Sequence, residues 1–254
     1  EAARLRAIIS DIHGNLEAFQ AVLTDMERQG ATSVTCLGDF VGYGPNPKEC
    51  IDLAFGFNIA LRGNHEHALL TEFESTNFNV KARGSIDWTR QQLNPLGADR
   101  EANLKRWDFL DSLETTHKEG NVLLVHGTPR DPIAEYLYPR DIYRPEKLQA
   151  IFEKVDWLCM CGHTHVPGIW TEDMIYLTPQ EVNFRYHLVN KKTLVNVGSV
   201  GQPRDGDSRA CYVLFDGSRI IFRKVEYRVE TTARKIRAIP ELDAYLADRL
   251  LEGR

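Results

Sequence analysis

The feature that most constrains this chain is a recurrence: five short apolar runs each break off into a tip of Asp, Asn or His beside glycine. In order they read IISDIHGN from Ile8, TCLGDFVGYG from Thr35, ALRGNHEH from Ala60, LLVHG from Leu123 and CMCGHTH from Cys159. Apolar runs of this length, punctuated by glycine, read as buried strands, and polar residues at strand ends are placed for chemistry. A histidine that merely packs in a core needs no such punctuation. Five tips of one kind point to a shared site at the rim of one or more sheets.

The segments between the tips set the fold class. NLEAFQAVLTDMERQG after the first tip has apolar residues at helical spacing and closes on Gly30, and PKECIDLAF reads as a helix with Pro47 in its first turn. Strand and helix alternate here, which implies largely parallel pairing. From about residue 80 to 113 a polar, helical insertion follows, with SIDWTRQQL and EANLKRWDFLDSL as two helices. The later runs NVLLVHG, VDWLCMCGHTH, TLVNVGSV, ACYVLFDG and RIIFRKVEY have few helices between them, which predicts a second sheet rich in antiparallel pairs. IPELDAYLADRLLEG closes the chain as a helix with Pro240 at its start and Gly253 after its end. The expected product is an α/β fold, a four-layer α/β/β/α sandwich of two mixed β-sheets flanked by helices, with residues 1–254 as a single domain.

Composition narrows the function. No segment has the roughly 18 uninterrupted apolar residues of a membrane span, and the start EAARLRAIIS lacks the parts of a secretory signal, so the expected location is cytoplasmic. The five cysteines are odd in number and lie mostly in apolar segments, which reads as reduced core residues. A net charge of -5 argues against duplex nucleic acid as a partner. The oligomeric state is left open.

In an extended strand, residues two apart share a face, so Asp11 with His13, and His163 with His165, are expected to approach one ion as pairs. Carboxylate plus imidazole suits Mn, Fe, Zn, Co or Ni better than Mg or Ca. With Asp39, Asn64 and His126 also at strand ends, there are more ligands than one tetrahedral ion can use. Two ions about 4 Å apart sharing a carboxylate accommodate them, the geometry that clamps an in-line displacement at phosphorus.

The ordered set of motifs resembles the calcineurin-like metallophosphoesterases, from Asp11 to about Asp207, and in particular the small bacterial and archaeal phosphodiesterase branch. The resemblance implies two divalent metal ions, manganese first among them. Asp11, His13 and His165 would hold one, Asn64, His126 and His163 the other, and Asp39 would bridge them. It implies a metal-bridging hydroxide as nucleophile and His65 as general acid, with a hydrogen bond to a ligand as the other reading of His65. The expected activity is hydrolysis of a small-molecule phosphodiester of nucleotide or aryl type. Phosphomonoesterase or dinucleoside polyphosphate hydrolase activity is the alternative within the enzymes, and a non-catalytic binding scaffold is the alternative outside them.

One departure from the family stands out. Where protein phosphatases carry an Asp-Arg pair after the bridging aspartate, this chain has Gly42 and Tyr43, so the arginine clamp and the residue that orients His65 are both missing. Arg204, in NVGSVGQPRDGD, either replaces that charge or pairs with Asp205 or Asp207. The Tyr-, Arg- and Pro-rich loop at about residues 128–145 offers Tyr136, Tyr138 and Tyr143 for stacking and Arg130, Arg140 and Arg144 for phosphate, or else packs on the sheet. Arg204, Tyr43 and Tyr136 are the expected substrate contacts. His67 lines the pocket or faces solvent, and His117 and His187 are read as structural.

Overall fold

Along β1 (Arg6–Ile9), Ala7 and Ile9 enter one apolar cluster while Ile8 enters another. A strand alternates its side chains, so a run apolar at every position must be covered on both faces. The computed structural model, which describes residues 5–71, 76 and 78–254, shows how. β6 (Leu158–Cys161) repeats the pattern: Leu158 and Met160 face Ile8, Leu37 and Val213 in the cluster between two sheets, and Cys159 and Cys161 face outward onto Leu148, Ile151 and Phe152. The layers are helix, sheet, sheet, helix.

The first sheet contains β2 (Ser33–Cys36) and β3 (Ile59–Ala60), parallel to β1 and joined through α1 (Leu16–Arg28) and α2 (Pro47–Ala54). The side chain of Asn15 caps α1 by accepting the Ala18 N–H, and Pro47 opens α2. The chain then forms α3 (Asn64–Leu70), α4 (Val80–Gln92) and α5 (Arg100–Ser112). Next come β4 (Thr116–Glu119), β5 (Val122–Val125), α6 (Pro145–Phe152) and, after β6, β7 (Gly168–Thr171), β8 (Tyr176–Leu177), β9 (Arg185–His187) and β10 (Thr193–Asn196). β11 (Ala210–Phe215), β12 (Arg219–Val225), α7 (Val229–Arg237) and α8 (Tyr245–Glu252) complete it. The sheet orders are β3-β2-β1-β11-β12-β9 and β4-β5-β6-β10-β7-β8.

Three expectations need correction. The runs ACYVLFDG and RIIFRKVEY do not join the second sheet; β11 lies antiparallel to β1, with Ile8 opposite Val213, and β12 pairs with β11. Both sheets are covered on both faces, so an apolar run carries no mark of which sheet it enters. The closing helix starts at Tyr245 rather than Pro240, because the Asp243 carboxylate accepts the Tyr245 N–H at 2.8 Å and begins it there. α7, with Ala233 and Ile236 buried against α8, was not expected at all.

All five cysteines are free and buried, as expected. His117 and His187 lie in β4 and β9. No helix among the described residues is long and apolar enough to cross a membrane.

Candidate metal centre

The five tips meet at one rim. Asp11 N donates to Gly38 O at 3.0 Å, His13 N to Asp39 O at 2.9 Å, Leu61 N to Cys36 O at 2.9 Å and Gly162 N to His126 O at 3.0 Å, so each tip or the run that leads into it is tied by backbone bonds to a neighbour. These ties hold an unusual backbone: Asp11, His13, Asp39, His163 and His165 all have positive φ, from 49° to 67°. For residues other than glycine this costs on the order of 1–3 kcal/mol each and persists only where the surroundings over-determine it. The expected sharing of a strand face is therefore not what places these residues. β1 ends at Ile9 and β6 at Cys161, and left-handed turns beyond the strand ends aim Asp11 and His13 into one group of ligand atoms but send His163 and His165 into two different ones, against the expectation that they approach one ion together.

All of these side chains are buried. Ligand atoms of Asp11, His13, Asp39 and His165 lie within 4.8 Å of one another, and so do those of Asp39, His126 and His163. Asp39 belongs to both groups, with its Oδ2 3.6 Å from His13 Nε2 and 3.3 Å from His126 Nε2. Asn64, the first residue of α3, brings its Oδ1 to 3.0 Å from His126 Nε2. Gly63 permits the close approach, since a Cβ there would sit 2.1 Å from Asp39 Oδ1.

The far nitrogens decide the chemistry of this cluster. His13 Nδ1 faces Val41 O at 2.9 Å, His165 Nδ1 faces Gln202 O at 2.6 Å, His126 Nδ1 faces Leu37 O at 3.1 Å and His163 Nε2 faces Ala134 O at 3.2 Å. A carbonyl only accepts, so each of these nitrogens carries its proton. The inner nitrogens of the neutral rings are then lone pairs, and they face each other: His13 Nε2 to His165 Nε2 at 3.1 Å, and His126 Nε2 to His163 Nδ1 at 3.1 Å. Two lone pairs at that distance repel unless a cation lies between or beside them. Outer N–H groups held by carbonyls, with inner lone pairs turned toward one another, are the arrangement that metal-ligating histidines adopt. Donor types, burial and orientation all fit two divalent cations.

Electrostatics agree. Burial first, then the charge of neighbouring His65, holds His13 well below its usual value, and burial does the same to His165. Burial and then His126 lower His163 to about 3. Burial also works against a charged His126, but the charge and hydrogen bond of Asp39 outweigh it and push His126 up to about 9. Without a metal, one proton on His126 serves as the cation facing His163.

His65 stands beside the cluster. Its N–H donates to Asp39 Oδ1 at 2.9 Å, and its ring packs at 4.7 Å from His13, 4.6 Å from Tyr43 and 5.0 Å from Phe78. Nδ1 is buried without a hydrogen-bond partner, sealed against Gly42, where a Cβ would be 2.0 Å away. An aromatic cage thus holds the ring, for which the sequence named no orienting residue. Burial first lowers its pKa to about 4, against the charge of Asp39. Behind it, the buried Glu66 carboxylate accepts the N–H groups of Gly63, Asp39, Phe40 and Val41 at 2.8–3.2 Å.

Residues 5–219 match the calcineurin-like phosphoesterase superfamily domain. The chain belongs to that superfamily. It is similar to a metallophosphoesterase from Sphaerobacter thermophilus of known crystal structure, with 36% identity, coverage of 99% of this chain and 100% of the other, and a TM-score of 0.83. It is 38% identical to an uncharacterised protein of Methanocaldococcus jannaschii, over 98% of each chain. A hypothetical protein of Pyrococcus horikoshii shares the fold at a TM-score of 0.74 and 18% identity, over 98% of each chain. Divalent-metal binding and phosphoester hydrolysis are properties of this calcineurin-like family, and the Asp/His cluster could hold such ions.

The expected substrate contacts divide. Tyr43 lies between His13 and His65, and the Tyr136 ring stacks on His163 at 3.7 Å with Tyr138 stacked behind it at 5.3 Å. Tyr143 points away, 81% exposed. Arg130 bonds Glu135, Arg140 lies over Tyr138, and Arg144 is exposed near Asp141. Arg204 does not pair with its neighbours: Asp205 bonds Lys224 and Asp207 bonds Arg209, while Arg204 Nη2 donates to Gln202 Oε1 at 2.7 Å. Its guanidinium lies 5.9 Å from the Tyr43 ring centroid. His67 is half-buried on α3. Phe78, a wall of the His65 cage, was missed, and Gly42 was noted only for standing with Tyr43 where protein phosphatases carry an Asp-Arg pair.

Proposed function

We propose that the chain is a hydrolase of small phosphodiesters that works with two divalent cations, manganese foremost. The observation that supports the diester is a cleft of about 280 Å³ against the cluster, lined by Tyr43, Asn64, Phe78, Asn79, Ile133, Ala134, Tyr136 and His163. This lining has aromatic and neutral polar side chains and no Lys or Arg, which suits a singly charged phosphate bearing an apolar or aromatic group better than the dianion of a monoester.

In this reading Asp11, His13 and His165 hold one cation, Asn64, His126 and His163 the other, and Asp39 lies between them. The cations would supply positive charge against the phosphoryl oxygens and make a water acidic enough to attack at neutral pH. His65 acts on the leaving group. Its sealed, partnerless Nδ1 favours the tautomer with the proton on Nε2, since an orphaned N–H costs more than an orphaned lone pair. The neutral ring then donates a hydrogen bond to the leaving oxygen as negative charge develops there. A substrate anion beside the ring favours its protonated form, from which the proton passes fully to that oxygen. Tyr136, held in a stack with His163 and Tyr138, lines the cleft where an aromatic or base substituent would lie. The five free, buried cysteines support a reducing compartment, so we extend the proposal to the cytoplasm.

The test is hydrolysis of an aryl phosphodiester and the matching monoester after reconstitution with Mn, with Ni, Co, Zn and chelator in parallel. Preference for the diester, abolished by chelator, is the expected result. Preference for the monoester would overturn the diester reading, and no turnover of either with any metal would favour a scaffold.

A further inference from the structure

A second cleft, of about 410 Å³, lies on the other side of Tyr43 and Asn79, which line both. Its character is opposite. Lys81, Arg249 and Tyr245 line it together with Val80 and Leu246. Lys81 Nζ lies 3.7 Å from the Tyr245 ring centroid and the Arg249 guanidinium 5.8 Å from the same centroid, so two cations flank one ring. Arg204 approaches Tyr43 from the side of the metal centre.

These cations are poorly matched by acid. Arg249 Nε donates to the main-chain oxygen of Arg254 at 2.6 Å and Arg204 bonds the neutral Gln202, and among the described residues neither has an Asp or Glu carboxylate within ion-pair distance. Lys81 has Asp243 at 3.9 Å, a loose contact between half-exposed groups. Arg249 is also fixed in place: Leu246 and Leu250 of α8 pack with Trp88, Ala233 and Ile236 in the cluster against which Tyr43 lies. Burial and then the charge of Arg204 press the Arg249 pKa downward, as neighbouring guanidinium groups do to each other. Holding like charges together at a half-buried rim costs stability, and a bound anion relieves that cost.

We infer that the cleft lined by Lys81 and Arg249 beside Tyr43 is a second anion subsite, which takes a further phosphate group carried on the non-reacting arm of the ester. The inference rests on the phosphodiesterase reading and adds to it a substrate with two phosphates: one at the metal centre, one across Tyr43. The guanidinium of Arg249 and the ammonium of Lys81 suit phosphate, and their separation from the neutral cleft gives the two arms of the substrate distinct places.

The experiment compares two esters that differ only in that group, 4-nitrophenyl ethyl phosphate and 4-nitrophenyl 2-phosphoethyl phosphate, on the metal-loaded protein. The quantity read is the ratio of their kcat/KM values within each variant. A charge-assisted contact of this type favours the phosphorylated ester by about tenfold or more. Arg249→Gln should cut the ratio several-fold, Lys81→Gln less, and added salt should lower it in the parent. A ratio near one in the parent, or a ratio unmoved in both variants, would overturn the inference while leaving the phosphodiesterase reading intact. If neither ester is hydrolysed, that reading has failed, and calorimetric binding of the two esters gives the same ratio as affinities. The Lys81 variant, on the surface of α4, keeps the test open should a guanidinium variant fail to fold.

Discussion

Tyr43 packs against His65 with ring centroids 4.6 Å apart and planes at 61°, in the place where related phosphatases put a charged pair. An aromatic contact orients an imidazole without changing its charge, whereas a carboxylate would also raise its pKa. Burial, which lowers the His65 pKa to about 4, keeps the free ring neutral at pH 7, and in the proposed mechanism it first donates a hydrogen bond to the leaving oxygen. His65→Ala is expected to lower kcat by about 10² to 10⁴ with metal content unchanged. Metal analysis beside steady-state kinetics checks this; a variant that keeps full turnover removes His65 from the mechanism.

Gly42 sets that packing. It has a φ of +86°, and a Cβ would lie 2.0 Å from His65 Nδ1, so alanine there is both strained and obstructed. Gly42→Ala should displace the His65 ring and reproduce most of the kinetic loss of His65→Ala, again with the metals retained. The double variant should then be no slower than His65→Ala alone, because both changes act on one group.

Glu66 fastens the second tip to α3 through four backbone N–H groups. Burial, followed by the charge of Asp39, pushes its carboxyl up to about 7, so the ionised form is best tested at pH 8. Glu66→Gln turns an amide NH₂ toward donors and leaves at least one unmatched, at a cost of about 1–3 kcal/mol. A fall in Tm of about 3–10 °C is expected for a chain of this size. Asp39 should shift as well, so the variant should bind metal more weakly, which a competition titration with a chromogenic chelator reads directly.

Much of the centre was legible because it is local. Each tip follows its own apolar run, and Asp11, His13, Asp39, Asn64, His126, His163 and His165 can be picked out one tip at a time. What was not legible is tertiary. The left-handed turns that aim Asp11 and His13 are imposed by hydrogen bonds to Gly38 and Asp39, about 26 residues further along. The sheet to which β11 belongs is decided by pairing with β1, some 200 residues earlier. Arg249 is one charged position on an amphipathic helix, with nothing in its own segment to say that α8 packs beside Tyr43. The Tyr-rich loop shows the same limit: Tyr136 and Tyr143 have the same chemistry, and only folding puts one on His163 and the other in solvent.

The pH dependence of stability in the metal-free protein follows from the same histidines. His13, His163 and His165 have depressed pKa values, burial being the first cause in each, and His163 falls to about 3. In the window between about 3 and the unfolded value near 6.5, the unfolded chain binds more protons at these sites. Their contribution is therefore present above pH 6.5 and lost as pH falls toward 3. Glu66, raised to about 7, opposes this between about 4.5 and 7, one proton against three. His126, held up to about 9 by Asp39 in spite of burial, contributes stability below 6.5 that is lost as pH rises to 9. Denaturant midpoints of the metal-free protein should thus peak near pH 6.5 and fall more steeply on the acid side. Metal loading should flatten the alkaline arm, because a cation then occupies the place of the His126 proton, and acid should still release the metal by protonating the ligands. An alkaline arm equally steep with and without metal would show that His126 is not a ligand.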